Sequence, residues 1–259
     1  MASVHVLVGQ CGNQLGKTFL DGLVDEVHAS KDDHFAAQLS SMHFRPSRSS
    51  LPHPRCVMID MEPKVINSTL QSTDAAGQYT VQSPQYITRH SGSANNWACG
   101  YYTHGNQCKS NITEALRRES EVSGSVRTFH VLHSAAGGTG SGVGCAVADI
   151  IKSEFPRTLL FHTVIWPFAS GEVVTQWYNC ILTMSALRET ADAVFIAHND
   201  DFIKKTIVGR RGILGHAGTE EVSFESMNKD ITQLLLDLHL PRKVYRLQQT
   251  DYHHHHHNS

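Results

Sequence analysis

Short apolar runs alternate along the chain with longer segments in which apolar residues recur at helical spacing. Residues 3–9, 55–60, 127–133, 158–166 and 193–197 are rich in aliphatic and β-branched side chains, which is typical of buried strands. Between the first two runs, Leu15, Phe19, Leu23 and Val27 repeat every four residues and predict an amphipathic helix. This alternation predicts an α/β fold with a Rossmann-like, doubly wound, mostly parallel sheet and helices on both of its faces.

Three further segments carry expectations of their own. Residues 28–55 are rich in Ser, His, Pro and Arg and are expected to form a long surface loop. Residues 171–192 predict a long helix, and a last helix begins at Phe224. The apolar face of the first of these helices includes Val173, Val174, Trp177, Tyr178, Ile181 and Leu182; that of the second includes Phe224, Met227, Ile231, Leu234, Leu235 and Leu238.

Composition narrows the class of protein. The chain has 259 residues, 40% of them hydrophobic, and a net charge of −2, so it can bury a sizeable core and carries no sign of a nucleic-acid partner. No apolar run reaches the ~20 residues of a membrane span, and the start lacks the features of a secretory signal. Six scattered cysteines without a CxxC pair indicate reduced thiols and argue against a disulfide framework or a zinc site. Residues 1–244 are expected to form the domain, and residues 245–259, with five histidines, a disordered tail.

The loop "GGTGSG" at residues 137–142 follows a predicted strand and precedes a predicted helix. Backbone N–H groups at such a helix start bind phosphate oxygens, and the hydroxyls of Thr139 and Ser141 could assist them. The loop lacks the lysine of GxxxxGK[ST], and the third glycine of the dinucleotide fingerprint would fall at Val143. The alternative is a tight turn that needs glycine for packing alone.

Two other strand ends and one loop carry unusual residues. The segment "GQCGNQLG" at residues 9–16 adds the amides of Gln10 and Gln14, although ordinary helix capping would also explain it. Asp60 and Glu62 in "DMEP" could bind Mg²⁺ beside a polyphosphate, or complement a helix dipole. The segment "NNW" at residues 95–97 supplies amide donors that could replace the missing lysine.

Taken in order, "GQCGNQLG", "DMEP", "NNWACGYYTHG" and "GGTGSG" resemble the tubulins and their bacterial relative FtsZ over roughly residues 3–240. Within that family, "DMEPKVIN" and "WPFASGEVVTQWYNCILT" are most similar to the delta subfamily. The resemblance implies that the bound cofactors are GTP or GDP and Mg²⁺. In the family, backbone amides, asparagine and magnesium do the work of the missing lysine.

The resemblance also implies a role for each matching position. Metal binding falls to Asp60, and base stacking to Phe224. The nucleotide-binding positions are Gly9, Gln10, Cys11, Gln14, Glu62, Asn95, Ser134, Gly137, Gly138, Thr139, Gly140, Glu172, Asn199, Phe224 and Asn228. Glu172 would contact the ribose, and Asn199 and Asn228 the guanine edge. Without the resemblance, Phe224 and Asn228 would indicate only a helix start with one apolar residue facing the core.

Departures from the family pattern are Ala136, Glu172, Gln176 and Phe224, of which Glu172 and Gln176 put the ribose contacts in doubt. The resemblance implies a cytoplasmic, cytoskeletal protein of centrioles, basal bodies or cilia. Its partners would be other tubulin subunits or centriolar proteins, not nucleic acid or membrane. The family's water-activating acid follows the helix that begins at Phe224 and is absent here, so we expect GTP binding with little hydrolysis. A non-hydrolysing assembly module and, more remotely, an NAD-dependent oxidoreductase are the alternatives.

Overall fold

A parallel sheet forms the centre of the structure, a computed structural model that describes residues 2–46, 51–171, 173–204 and 223–240. The strands in these ranges are β1 (Ala2–Val8), β2 (Phe44–Arg45), β3 (His53–Pro54), β4 (Cys56–Asp60), β5 (Tyr86–Thr88), β6 (Val126–Ser134), β7 (Leu159–Trp166) and β8 (Ala193–His198). Six of them form one sheet in the order β5-β4-β1-β6-β7-β8, and every neighbouring pair in it is parallel. The predicted fold class is confirmed.

The strand order places a topological switch point between β1 and β6. From β1 the chain moves outward through β4 and β5, and it then returns to the other side of β1 to add β6, β7 and β8. A crevice therefore opens where β1 and β6 end. Ligands of open α/β sheets bind in such a crevice.

Helices cover both faces of the sheet. They are α1 (Gly9–Ala29), α2 (Asp33–His43), α3 (Pro63–Ala76), α4 (Gly105–Ser123), α5 (Gly144–Glu154), α6 (Gln176–Thr190) and α7 (Phe224–His239), with π-helical turns at Cys99–His104 and Thr139–Val143. Because side chains alternate along a strand, Val6 packs with α4, α5 and α6, whereas Leu7 packs with α1, α2, α3 and α7. No helix in the described ranges is long and apolar enough to cross a membrane.

The expectation of a long surface loop at residues 28–55 was wrong. Asp32 caps α2 by accepting hydrogen bonds from the backbone N–H groups of His34 and Phe35, and β2 and β3 form a small antiparallel ribbon. Leu39 and Phe44 are buried in the core. The segment has few apolar residues, so its periodicity was too weak to reveal the helix.

Helix α6 is shorter than predicted, and its orientation is the reverse of the expected one. The side chains of the predicted apolar face are largely exposed, with Val174 at 98% and Tyr178 at 72% of full exposure. The residues that α6 buries are Gln176, Asn179, Cys180, Thr183 and Leu187. Polar side chains therefore make up most of the buried face, and two of them, Gln176 and Asn179, hydrogen-bond to neighbouring loops.

Helix α7 follows its predicted pattern in part. Met227, Ile231 and Leu235 are buried, whereas Leu234 and Leu238 remain exposed. The proposed domain boundary at residue 244 and the tail that follows it lie outside the described residues.

Several histidines are buried in the sheet. His133 and His162, on β6 and β7, approach each other with 2.9 Å between Nε2 and Nδ1. Burial lowers the pKa of His133 to about 4 and takes the pKa of His162 well below its usual value. Burial also lowers the pKa values of His5, His130 and His239, so all these rings are neutral near pH 7.

This burial predicts a pH-dependent stability. Between pH 6.5 and about 4, the unfolded state binds a proton at His133 that the folded state excludes, so the free energy of unfolding should fall as the pH falls. Each such histidine contributes a slope of about 1.4 kcal/mol per pH unit. Urea titrations across this range measure how the free energy of unfolding depends on pH. In His133→Gln this dependence should weaken by the contribution of one histidine, whereas in the exposed His34→Gln it should not change. Equal slopes in the two variants would contradict the assignment.

Candidate functional site

Two glycine-containing turns touch at the switch point. Gly9, at the junction of β1 and α1, has φ +73°, and a Cβ added there would lie 2.9 Å from the backbone nitrogen of Gly140. Only glycine permits this contact between the turn after β1 and the turn after β6. Asn13 holds the first turn in place, because its Nδ2 donates to the carbonyls of Gly9 and Ile59 at 2.9 and 3.1 Å.

Both turns open into helical backbone without side-chain caps. Neither Val8, before α1, nor Gly138, before the turn Thr139–Val143, provides a side-chain hydrogen bond to the helix start. The first N–H groups of a helix have no partner within the helix, and together they favour an anion. Two such helix starts at one crevice suit a ligand with several phosphate groups.

The glycine loop packs against residues 93–101. A Cβ on Gly138 would lie 2.6 Å from the backbone nitrogen of Asn96, and one on Gly142 would lie 2.2 Å from the carbonyl oxygen of Trp97. These two glycines are therefore required for packing, whatever the loop binds. Gly137 differs, because its Cβ would meet only Asn95 Oδ1, at 3.8 Å.

The hydroxyls of the loop have different partners. Ser141, expected to assist the backbone amides, is fully buried and donates its hydroxyl to the carbonyl of Gly137. That expectation was wrong, since the hydroxyl stabilises the loop itself. Thr139 lies 2.9 Å from the hydroxyl of Ser93, which joins the glycine loop to the neighbouring segment.

A tight turn at Ala94 and Asn95 forms one wall of the site. Both residues have positive φ, 49° and 52°, and Asn96 N–H donates to Ser93 O at 2.9 Å. Left-handed backbone is unfavourable for alanine by about 1–2 kcal/mol, and such strain clusters at functional sites.

Asp60 and Glu62 follow β4 at the same edge of the sheet. Asp60 is buried, and its Oδ1 accepts a weak hydrogen bond from Glu62 N–H at 3.4 Å. Burial raises the pKa of Asp60 to about 6, although backbone hydrogen bonds from Glu62 and Met61 oppose the rise. A carboxylate short of positive partners on a cavity wall is suited to bind a divalent cation.

At the opposite end of the site lie three residues predicted to recognise a base. Asn199 follows β8 and is buried, and Asn228 lies on α7 one turn after Phe224. The ring of Phe224 is 59% exposed, and its centroid is 6.2 Å from that of Phe168. Phe224 therefore presents an aromatic surface at the cavity and does not face the core.

These features surround one cavity of about 440 Å³. Its lining includes the predicted residues Gln10, Cys11, Gln14, Asp60, Glu62, Asn95, Ser134, Gly137, Gly138, Thr139, Gly140, Asn199, Phe224 and Asn228. Gly9 lies behind the lining, and Glu172 lies outside the described residues. The sequence analysis did not identify six further residues as part of the site, although they also line the cavity: Val65, Ser93, Ala94, Ile165, Pro167 and Val173.

A family model described as the GTPase domain of the tubulin/FtsZ family matches residues 3–206. The chain belongs to the tubulin/FtsZ family. Curated tubulins agree with this assignment: the mouse tubulin delta chain is 36% identical over 93% of this chain and 53% of its own length. The mouse tubulin epsilon chain is 34% identical over 91% and 56%, and the human tubulin beta-1 chain 32% over 76% and 45%. The predicted similarity to delta-tubulin is confirmed, and the chain spans about half the length of these relatives.

Within this tubulin domain, Asn179 on α6 connects the loops around the cavity. Its Oδ1 accepts a hydrogen bond from Trp97 N–H at 3.0 Å, and its Nδ2 donates to the carbonyls of Asn95 and Ala136 at 2.9 and 2.6 Å. The sequence held no signal for this role, since an isolated asparagine in a helix usually faces solvent. Gln176, where a ribose contact was in doubt, donates to the Phe168 carbonyl and does not line the cavity.

Removing the Asn179 side chain should therefore destabilise the tubulin domain. Asn179→Ala leaves a buried N–H and two carbonyls without this partner, which we expect to lower the free energy of unfolding by about 1–3 kcal/mol. The matched control is Asn106→Ala, which removes an exposed hydrogen bond to the Tyr102 carbonyl and should change little. Urea unfolding measures the free energy of unfolding of both variants. Equal losses would contradict the structural role assigned to Asn179.

Proposed function

We propose that this chain binds GTP or GDP in the cavity at the switch point, with the phosphates against the glycine loop. The observation that carries the proposal is the contact of Gly9 with Gly140, which brings two uncapped helix starts to one crevice. Membership of the tubulin/FtsZ family supports guanine nucleotide as the ligand. Gly137, whose α-carbon faces open space beside Asn95, would lie closest to the phosphates.

The base is proposed to lie between Phe224, Asn199 and Asn228. Stacking on an aromatic ring contributes about 1–3 kcal/mol and does not depend on the base. Discrimination in favour of guanine would come from the side-chain amides, which offer both donors and acceptors to the base edge. The position of all three residues on the cavity wall supports this assignment.

Mg²⁺ is the metal that we propose for this site. Asp60 would hold it, with Glu62 nearby, because Mg²⁺ typically takes one or two carboxylates and keeps its remaining waters. The ion would neutralise phosphate charge. The backbone amides of the glycine loop would orient the phosphate oxygens.

The proposed role is that of the nucleotide-binding half of a delta-like tubulin in the cytoplasmic cytoskeleton, at centrioles, basal bodies or cilia. The partner we propose is another tubulin subunit, with centriolar proteins as the alternative. The exposed apolar side chains of α6, such as Trp177 and Ile181, support an assembly role, since soluble monomers rarely expose large contiguous apolar patches.

Gly137→Val tests the phosphate site. Its Cβ has room, but the added methyl groups would project into the cavity, so GTP affinity should fall by more than about tenfold, or 1.4 kcal/mol. Far-UV circular dichroism should be unchanged. A fluorescent GTP analogue measures binding, with ATP and NAD as competitors.

Gly137→Ala is the matched control, because a single Cβ fits at ordinary contact distance and should reduce affinity less. Undiminished GTP affinity in the folded Gly137→Val chain would contradict the phosphate assignment. Competition by NAD instead of GTP would favour the oxidoreductase alternative.

Magnesium dependence should follow the ionisation of Asp60. Only the carboxylate binds Mg²⁺, so the gain in GTP affinity caused by magnesium should be lost as the pH falls through about 6. Asp60→Asn should abolish this gain at every pH, and the exposed Asp74→Asn should preserve it. Titrations of the GTP analogue with and without MgCl₂ measure the effect. A magnesium gain that persists in Asp60→Asn would remove Asp60 from the site.

A further inference from the structure

A second cluster of functional groups lies apart from the nucleotide cavity, among histidines that the sequence analysis did not single out. His5 on β1 and His130 on β6 are register partners on adjacent strands, and His239 approaches them from the last turn of α7. His5 and His130 are buried, and His239 is half-buried. Three elements far apart in the chain thus place imidazoles together.

One ring nitrogen from each of these histidines lies within 4.8 Å of the other two. The Nδ1 atoms of His5 and His130 are 3.3 Å apart. In a tetrahedral zinc site, Zn–N bonds of about 2.0–2.1 Å place ligand nitrogens about 3.4 Å apart. The spacing of the first pair already matches that geometry, and a small movement of His239 would complete it.

The other nitrogen of each ring has a partner. His239 Nδ1 donates to the Leu235 carbonyl at 2.9 Å, so its Nε2 carries the lone pair. His130 Nε2 lies 2.8 Å from Thr163 Oγ1, and His5 Nε2 lies 2.9 Å from Nδ1 of His43. When these nitrogens donate, the Nδ1 lone pairs of His5 and His130 face each other. This arrangement of outer hydrogen bonds is the one that orients histidine ligands toward a metal.

We propose that His5, His130 and His239 bind a zinc ion. Neutral imidazoles suit borderline metals such as Zn²⁺ and Cu²⁺, whereas Mg²⁺ and Ca²⁺ need oxygen ligands. Three histidines leave the fourth position of a tetrahedral site to water. Loss of a proton from that water would reduce the net charge of the zinc site from +2 to +1.

The surroundings fit a closed metal site. The ring of Phe19 meets those of His5 and His239 at centroid distances of 5.2 and 5.1 Å and shields the cluster on one side. His43, which contacts His5, has its Nε2 atom buried without a hydrogen-bond partner, so one polar atom beside the cluster is unsatisfied. His239, the least buried of the three, marks the route by which an ion would enter.

A bound ion would tie the last turn of α7 to the central sheet. The same helix begins with Phe224 at the nucleotide cavity, so the ion would stabilise the element that carries the proposed base-binding residues. We therefore expect zinc to stabilise the folded chain without occupying the nucleotide cavity. The inference stands independently of the proposed function.

The test uses the full chain with residues 253–257 changed from histidine to serine, because five tail histidines would bind metal themselves. Calorimetric titration with zinc chloride should give one ion per chain, and the melting temperature should rise with zinc and return after chelation. Cobalt should give the visible absorption bands of a tetrahedral nitrogen site.

Thr163→Val keeps the shape of the side chain but removes the partner of His130, and should weaken zinc binding about 10–100-fold. His239→Gln should abolish stoichiometric binding, and the exposed His34→Gln should leave it unchanged. The proposal is overturned if the folded parent binds no stoichiometric zinc. It is also overturned if zinc affinity is the same in the parent, Thr163→Val and His239→Gln.

Discussion

The backbone contact between Gly9 and Gly140 is the constraint on which the proposed nucleotide site depends. β1 and β6 are adjacent strands at the point where the strand order reverses. The turns that follow their carboxyl ends therefore lie next to each other. Any side chain at Gly9 would meet the Gly140 backbone and separate the turns. Close packing of the turns places two helix starts side by side, which is the arrangement that supports the proposed phosphate site.

The loops around this crevice are held from behind by polar groups. Asn179 bonds to backbone atoms of Trp97, Asn95 and Ala136, so the buried face of α6 must carry an amide where an apolar residue would be usual. Buried backbone groups need hydrogen-bond partners, and Asn179 provides them for these loops. The apolar side chains of α6 consequently face outward.

Helix α7 connects the two proposed sites. Its first two turns carry Phe224 and Asn228 at the cavity, and its last residue, His239, lies beside His5 and His130 of the sheet. Between these ends, Met227, Ile231 and Leu235 pack into the core. A displacement of the helix at one end would therefore also displace its other end. A ligand at either end would favour the same docked helix, which links nucleotide binding and metal binding to the stability of one element.

The sequence by itself determined the alternation of strands and helices, the glycine turns and the acids at the strand ends, because these depend on local periodicity and local backbone freedom. It could not reveal α2, whose apolar residues are too few to show a period, or the inward polar face of α6. It also could not separate Gly138, which packs against Asn96, from Gly137, which faces the cavity. His5 and His130 are 125 residues apart, and only the pairing of β1 with β6 brings their rings together. Tertiary structure decided these features because each depends on contacts between side chains and backbone that are distant in the chain.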